Sequence, residues 1–241
     1  MATTSFLVLR LDAPMQSWGR VAMDPVRPTH SHPTRSGLAG LIASALGWRY
    51  RDGARTTALQ DALRFGIRED RPARILRDYH TADLGRIGRE SWTRWGMERR
   101  GGGTAASGTQ ILDKHYLADA VFVVVLGLHD GSPVDLDEIA QALRTPARPL
   151  FLGRKGCLPA TPILVGEVQA PNSFEALAAW PTDSRSSIRE VQCWYQDGDG
   201  PAEGEPEEIW DRRDFVTDRF AGSRIVRRHR VRPAAPRPAE E

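Results

Sequence analysis

The run Val121–Leu128 (VFVVVLGL) constrains this chain more than any other stretch. It is short, rich in β-branched residues and free of polar alternation, which fits a central strand covered on both faces. Phe6–Leu11 (FLVLRL) reads as a second buried strand, apolar except for Arg10 and closed by turn residues at Asp12, Ala13 and Pro14. Strands of this kind need helices or another sheet above and below them.

The remaining periodicities supply those layers. Leu38, Leu41, Ile42, Ala45 and Leu46 form one apolar helical stripe, with Ser36 as the expected N-cap and Gly47 as the terminator. Asp135–Arg144 reads as a second helix, in which Asp135 and Glu138 make an acidic capping box. Further strands are expected at Phe65–Glu69, Arg74–His80 and Pro162–Gln169, and a short helical segment is expected at Ala58–Leu63. Leu84–Gln110 has no sustained period and reads as a projecting hairpin or loop. The order strand, helix, strand, insertion, strand, helix, strand predicts an α+β, ferredoxin-like fold with its first and third strands central. Beyond it, a short helix (Phe174–Trp180), a strand (Ile188–Tyr195), an acidic loop (Asp197–Glu208) and two more strands, the last at Arg224–Arg232, make a β-rich C-terminal region. The Pro/Ala/Glu tail reads as disordered.

The whole is expected to be one domain over 1–235, with an insertion at 83–112 and a tail at 236–241. At 241 residues it can bury a core without staples, and its two cysteines, Cys157 and Cys193, fit a reducing cytoplasm better than a disulfide framework. The first apolar run is too short for a signal peptide or a membrane span, so neither is expected. Net charge is only +2, yet nearly all of the positive charge is arginine, the lysines being Lys114 and Lys155. Arginine suits planar contact with phosphate, although a GC-rich genome would give the same bias, so only clustering is informative.

Three clusters stand out. The loop before the first helix carries Gln16, Trp18, Arg20, Arg27, His30 and His32, and Thr34, Arg35 and Ser36 lie at the helix start, where free N–H groups suit a phosphate. The same residues would also make a plain capped helix with a solvated arginine. The insertion sets Trp92 and Trp95 among Arg86, Arg89, Arg94, Arg99 and Arg100, a stacking surface for single-stranded nucleic acid or a local mini-core. Gly153, Arg154, Lys155 and Gly156 form a basic turn that lacks the spacing of a nucleotide-hydrolysing loop. His30 and His32 have no second ligand pair at metal spacing, so no metal or cofactor is expected. Lys114, His115 and Tyr116 could serve acid–base chemistry on RNA, but in an extended chain His115 and Tyr116 face opposite ways.

The segments LVLRLDAPMQSWG, RPTHSHPTRSGLAGLIASALGW, DKHYLADAVFVVVL and PLFLGRKGCLPATPILVG together resemble the CasD family of type I-E CRISPR Cascade subunits, in the RAMP superfamily. The resemblance spans roughly residues 6–170 in order. It implies an RRM-like, RAMP-type palm with an inserted β-hairpin thumb. It also implies a cytoplasmic, non-catalytic subunit that caps the 5′ handle of crRNA and contacts the backbone subunit CasC and the large subunit CasA. Target DNA would be met only indirectly, through the guide's base pairing. The RNA contacts expected on this reading are Gln16, Trp18, Arg27, Thr34, Arg35, Ser36, Arg94, Trp95, Arg99, Arg100, Lys114, Arg154 and Lys155. In type I-C systems the related subunit cuts RNA with Tyr, Lys and His, so Tyr50, Lys114 and His115 are the residues for an alternative, metal-independent ribonuclease.

Overall fold

Leu7, Leu9 and Leu11 fall on one side of the first strand, Phe6 and Val8 on the other, and both sides are buried. That period of two, repeated in Phe122, Val124 and Leu126 against Val123 and Val125, sets the architecture. The structure is a computed structural model that describes residues 3–21, 25–83, 86–87, 90–93, 96–99, 109–182 and 190–235; between 82 and 110 only backbone is described.

In chain order the elements are β1 (Thr4–Asp12), β2 (Met15–Gln16), β3 (Val26–Arg27), α1 (Arg35–Ala45), a 3-10 turn (Tyr50–Asp52), α2 (Gly53–Ala62), β4 (Leu63–Arg71) and β5 (Arg74–Asp83). Then come β6 (Arg86–Ile87), β7 (Glu90–Thr93), β8 (Gly96–Arg99), β9 (Thr109–Ala118), β10 (Val121–Leu128), α3 (Leu136–Arg144) and β11 (Leu164–Ala170). The chain closes with α4 (Ser173–Ala179), β12 (Val191–Gln196), β13 (Glu205–Asp214) and β14 (Arg219–Val231). The fold is mixed α+β.

Seven strands form one antiparallel sheet in the order β11-β1-β10-β4-β12-β14-β13. The two most apolar runs of the sequence, β1 and β10, pair with each other inside it. Leu38, Leu41 and Ile42 of α1 and Ile139, Ala140 and Leu143 of α3 cover one face, and Ala176 and Leu177 of α4 cover the other. Burying each of these larger side chains contributes about 1.5–3 kcal/mol. The C-terminal strands extend the same sheet.

The ends of the helices follow from local chemistry, with one correction. The N-cap of α1 is Thr34, not Ser36: Thr34 is extended (φ −101°, ψ 155°) and its hydroxyl accepts from the Gly37 N–H at 3.2 Å, while Ser36 already lies inside the first turn. Gly47 takes φ +77°, as a C′ residue does. Asp135 and Glu138 close the capping box at 2.8 and 3.0 Å. The last carbonyls of α4 are met by Arg68, a fully buried arginine of β4 that also pairs with buried Asp70.

A second, smaller sheet stands beside the first. β5 and β9 pair over their whole length, from Arg74 opposite Ala118 to Asp83 opposite Thr109, making a two-stranded ribbon. The far edge of β9 takes β2 antiparallel and β3 parallel, and β6, β7 and β8 form a separate small meander. The expected insertion at 83–112 falls within this 74–118 excursion. The acidic loop expected to run through Glu208 ends sooner, because Glu205 begins β13 opposite Arg228 and the two form an ion pair. Among the described residues no helix is long and apolar enough to cross a membrane.

Candidate nucleic-acid interface

The long loop between β1 and α1 is built from the inside by Gln16 and Trp18. The Gln16 amide is fully buried and donates to the carbonyls of Leu11 and Ala120 at 3.0 and 2.9 Å, clamping the end of β1 to the start of β10. Its oxygen accepts from the Trp18 indole N–H at 3.2 Å. The Trp18 ring lies against the first turn of α1, so closely that a Cβ on Gly37 would sit 2.8 Å from a ring carbon. Thr29 holds the returning strand by accepting from the Trp18 backbone N–H at 2.8 Å. Both Gln16 and Trp18 therefore brace the loop from within.

The helix start is also internally satisfied. Thr34 is buried on its capping bond, Ser36 is nearly so, and the Arg35 backbone N–H donates to the Asp211 carboxylate at 2.8 Å. Asp211 in turn accepts from the Arg224 guanidinium at 3.0 and 2.9 Å. The position where a phosphate was expected is thus filled by a carboxylate of the chain's own edge strand.

Burial also decides the H-x-H pair. His32 stacks on Trp194 with ring centroids 4.6 Å apart, and burial pushes its imidazole down to about 4. His30 is lowered as well, by burial first, against the opposing pull of Asp211. Among the described residues no group of three His, Cys, Asp or Glu could hold a metal ion.

The basic turn docks onto this loop. Gly153 adopts φ +101°, and a Cβ there would fall 1.7 Å from the Ser17 carbonyl oxygen, so only glycine fits. The Ser17 N–H donates to the Leu152 carbonyl at 3.0 Å across the same contact. Arg154 then bridges segments far apart in sequence. Its guanidinium donates to the carbonyls of Arg27 and His115 at 2.9 and 2.8 Å and lies over the Tyr116 ring at 4.7 Å. Arg154 is spent on architecture, and Lys155 beside it is exposed.

This bridging gathers charge at the root of the ribbon. Arg27 of β3 stands opposite Lys114 of β9, and Lys114 stands opposite Asp78 of β5. Residues paired across neighbouring strands share a face, so Arg27 and Lys114 lie side by side, with Lys155 next to the Arg154 bridge. On the opposite face Arg77 grips Asp113 with two bonds of 2.8 and 2.6 Å, which holds the Asp113 carboxyl below its usual range.

Of the expected contacts, Arg27, Lys114 and Arg154 are therefore brought together, and Lys155, next to Arg154 in sequence, is exposed. Gln16, Trp18, Thr34 and Ser36 lie behind them, and Arg35 points elsewhere, toward β4 and β14. Arg94, Trp95 and Arg100 lie outside the described residues, and Arg99 ends β8 with only its backbone described. Lys114 and His115 alternate on β9, and Tyr50 is 76% exposed just past the C-terminal end of α1. Trp18 and its strand neighbours reach β9 from the other end of that helix, about 16 Å away along its axis. The alternative set of Tyr50, Lys114 and His115 is thus split between the 3-10 turn after α1 and successive positions of β9. Buried Asp211 and half-buried Arg224 are a pair missed by sequence reasoning, as are Arg68 and Asp70; the local sign of the first was an acid in strand alternation with Ile209.

Comparison with known proteins adds a family. The family described as CRISPR-associated protein (Cas_Cas5) matches residues 6–232. The chain is 35% identical over 181 residues to the CRISPR system Cascade subunit CasD of Escherichia coli (strain K12), covering 72% of this chain and 75% of that protein. Among solved structures it is similar to a chain of a CRISPR RNA-guided surveillance complex, with a TM-score of 0.70 and 30% identity over 96% of this chain and 94% of the other. A Cas protein crystal structure matches with a TM-score of 0.65 and 28% identity, covering 96% of this chain and all 100% of that one.

Proposed function

Because the chain belongs to the Cas5 family of CRISPR-associated proteins, we propose that it is a non-catalytic Cascade subunit that grips the 5′ handle of a crRNA at the root of its β5–β9 ribbon. The half-sheet β11-β1-β10-β4, with α1 and α3 on one face, serves as a ferredoxin-like palm, and the 74–118 excursion serves as the thumb. The described part forms one domain. CasC and CasA are the protein partners on this reading, and target DNA is reached only through the guide.

One observation supports the reading: the Arg154 guanidinium bonds the carbonyls of Arg27 and His115, and Arg27 stands opposite Lys114, with exposed Lys155 next to that bridge in sequence. Lysine and arginine so placed neutralise backbone phosphates without reading bases, which suits an end-cap. Arg94, Trp95, Arg99 and Arg100 of the insertion are proposed as further RNA contacts, supplying cations and a base-stacking ring.

The test is a gel shift of labelled repeat RNA with the purified protein in EDTA. The RNA shifts and stays whole. Replacing Lys114 and Lys155 by glutamine weakens binding and lowers the salt slope by about 0.7 for each lost single-strand phosphate contact. Weaker binding with an unchanged slope counts against phosphate contacts at this patch. Metal-free cutting abolished by His115→Ala would establish a ribonuclease instead.

A further inference from the structure

A second polar site lies away from the ribbon, where α1 and β4 begin and β14 passes over them. It is a pocket of about 440 Å³ whose wall includes Arg35, Arg64, Arg224, His129, Asp197 and Asp199. Most of its charges are matched in pairs: Arg64 with Asp199, Arg224 with Asp211, and Asp197 with Arg227.

Arg35 is the exception. Its Nη2 reaches the Leu63 carbonyl at 3.4 Å, a weak contact, and its buried Nε has no partner. Burial first and the neighbouring Arg224 next push its guanidinium down to about 10, against the opposing pull of Asp211 and Asp61, so it keeps its charge at neutral pH with no carboxylate bonded to its side chain. Asp199 mirrors it. One oxygen accepts twice from Arg64, and the other, Oδ2, is buried with no partner. Two residues that line the pocket therefore each keep one unpaired polar atom shielded from solvent, a charged donor and an acceptor, groups that native proteins rarely bury unpaired.

The N–H groups at the helix start take no part, since Asp211 and Thr34 have used them. Inorganic anions would satisfy Arg35 and leave Asp199 bare. A ligand with an anionic group and a separate hydrogen-bond donor satisfies both, and the volume lies in the range of small-molecule sites.

We propose that this pocket binds a mononucleotide, with its phosphate on the Arg35 guanidinium and a ribose hydroxyl or base amino group donating to Asp199. The ligand is either a free nucleotide or a terminal nucleotide of an RNA. The site is distinct from the Lys114 and Lys155 patch, and it does not depend on handle binding there.

The experiment is calorimetric titration of the full-length protein with AMP and, separately, with inorganic phosphate. AMP binds saturably at one site, and phosphate binds at least about tenfold more weakly, the cost of one lost charged hydrogen bond. Arg35→Gln lowers AMP affinity by roughly tenfold or more at an unchanged thermal midpoint, and Asp199→Asn lowers AMP affinity without touching phosphate affinity. Should R35Q melt early, Arg35→Lys, which keeps the charge and lacks Nε, gives the intermediate affinity. Lys155→Gln leaves AMP binding unchanged. Competition by 5′-phosphorylated repeat RNA in the wild type assigns the site to an RNA end, and absence of competition assigns it to free nucleotide; either upholds the pocket. The proposal is overturned if folded wild-type protein shows no saturable AMP binding up to about 10 mM, or if R35Q and D199N bind as wild type does.

Discussion

Replacing Arg68 by methionine should unfold more of this protein than any change at its surface. The Arg68 side chain has no exposed area, and its Nε and Nη2 hold the two Asp70 oxygens at 2.5 and 2.9 Å. The same guanidinium donates to the carbonyls of Leu177, Trp180 and Pro181, at 2.5, 2.6 and 3.1 Å, closing the C-terminal end of α4. Methionine fills similar volume but leaves the Asp70 carboxylate, 3% exposed, with no cation, and the helix end with no donor. Removing one member of a buried pair costs about 3–5 kcal/mol. The orphaned carbonyls would add about 1–3 kcal/mol each if they stayed buried, but the short α4 can fray to water and relieve most of that. A net loss of about 4 kcal/mol follows, a large part of the roughly 5–15 kcal/mol of a typical domain. Urea unfolding reads it directly: at a slope of about 2–3 kcal/mol/M the midpoint falls by roughly 1.3–2 M with the slope unchanged. The double variant Arg68→Met with Asp70→Val removes both charges and should regain about 2 kcal/mol or more. A loss under about 1 kcal/mol for R68M, or additive effects in the pair, would refute the reasoning.

Other consequences are testable in the same way. His32 is held neutral at about 4, against an ordinary value of 6.5, so the unfolded chain binds more protons between those values. Stability is full above pH 6.5 and falls as pH drops toward 4, by up to about 3 kcal/mol; in His32→Gln the midpoint difference between pH 7 and pH 4.5 should shrink accordingly. Gly153→Ala must displace the Ser17 carbonyl, which a Cβ would meet at 1.7 Å, so it should undock the turn and weaken RNA binding, seen as faster amide exchange at Ser17 and Leu152. Gln16→Ala leaves the carbonyls of Leu11 and Ala120 without their donor and should cost about 1–3 kcal/mol in urea, with no change in the salt slope of RNA binding.

Local signals were legible and distant partnerships were not. Val121–Leu128 betrayed itself because a strand buried on both faces has no polar alternation, and the Asp135–Glu138 box because its partners are three residues apart. Gln16 and Trp18 looked like loop residues free to touch a ligand, since nothing near them announces the Leu11 and Ala120 carbonyls or the closeness of Gly37. The helix start at Arg35 seemed to offer a phosphate site because the carboxylate that accepts its backbone N–H, Asp211, comes 176 residues later. The start of β13 hid in an acidic loop for a similar reason: Glu205 is extended by pairing with β14, through Arg228, 23 residues on. The juxtaposition of Arg27 and Lys114 could not be read either, because Arg154, the side chain that ties their segments together, looked like one more phosphate ligand.

Handle binding at the ribbon root is tested by cross-linking repeat-derived RNA to the assembled complex in EDTA, with the linked peptides and the RNA ends both sequenced. The expected result is an intact 5′ handle linked to peptides bearing Arg27, Lys114 and Lys155, with those links lost when Lys114 and Lys155 are replaced together. Cleaved RNA, or links confined to surfaces away from the ribbon root, would contradict it.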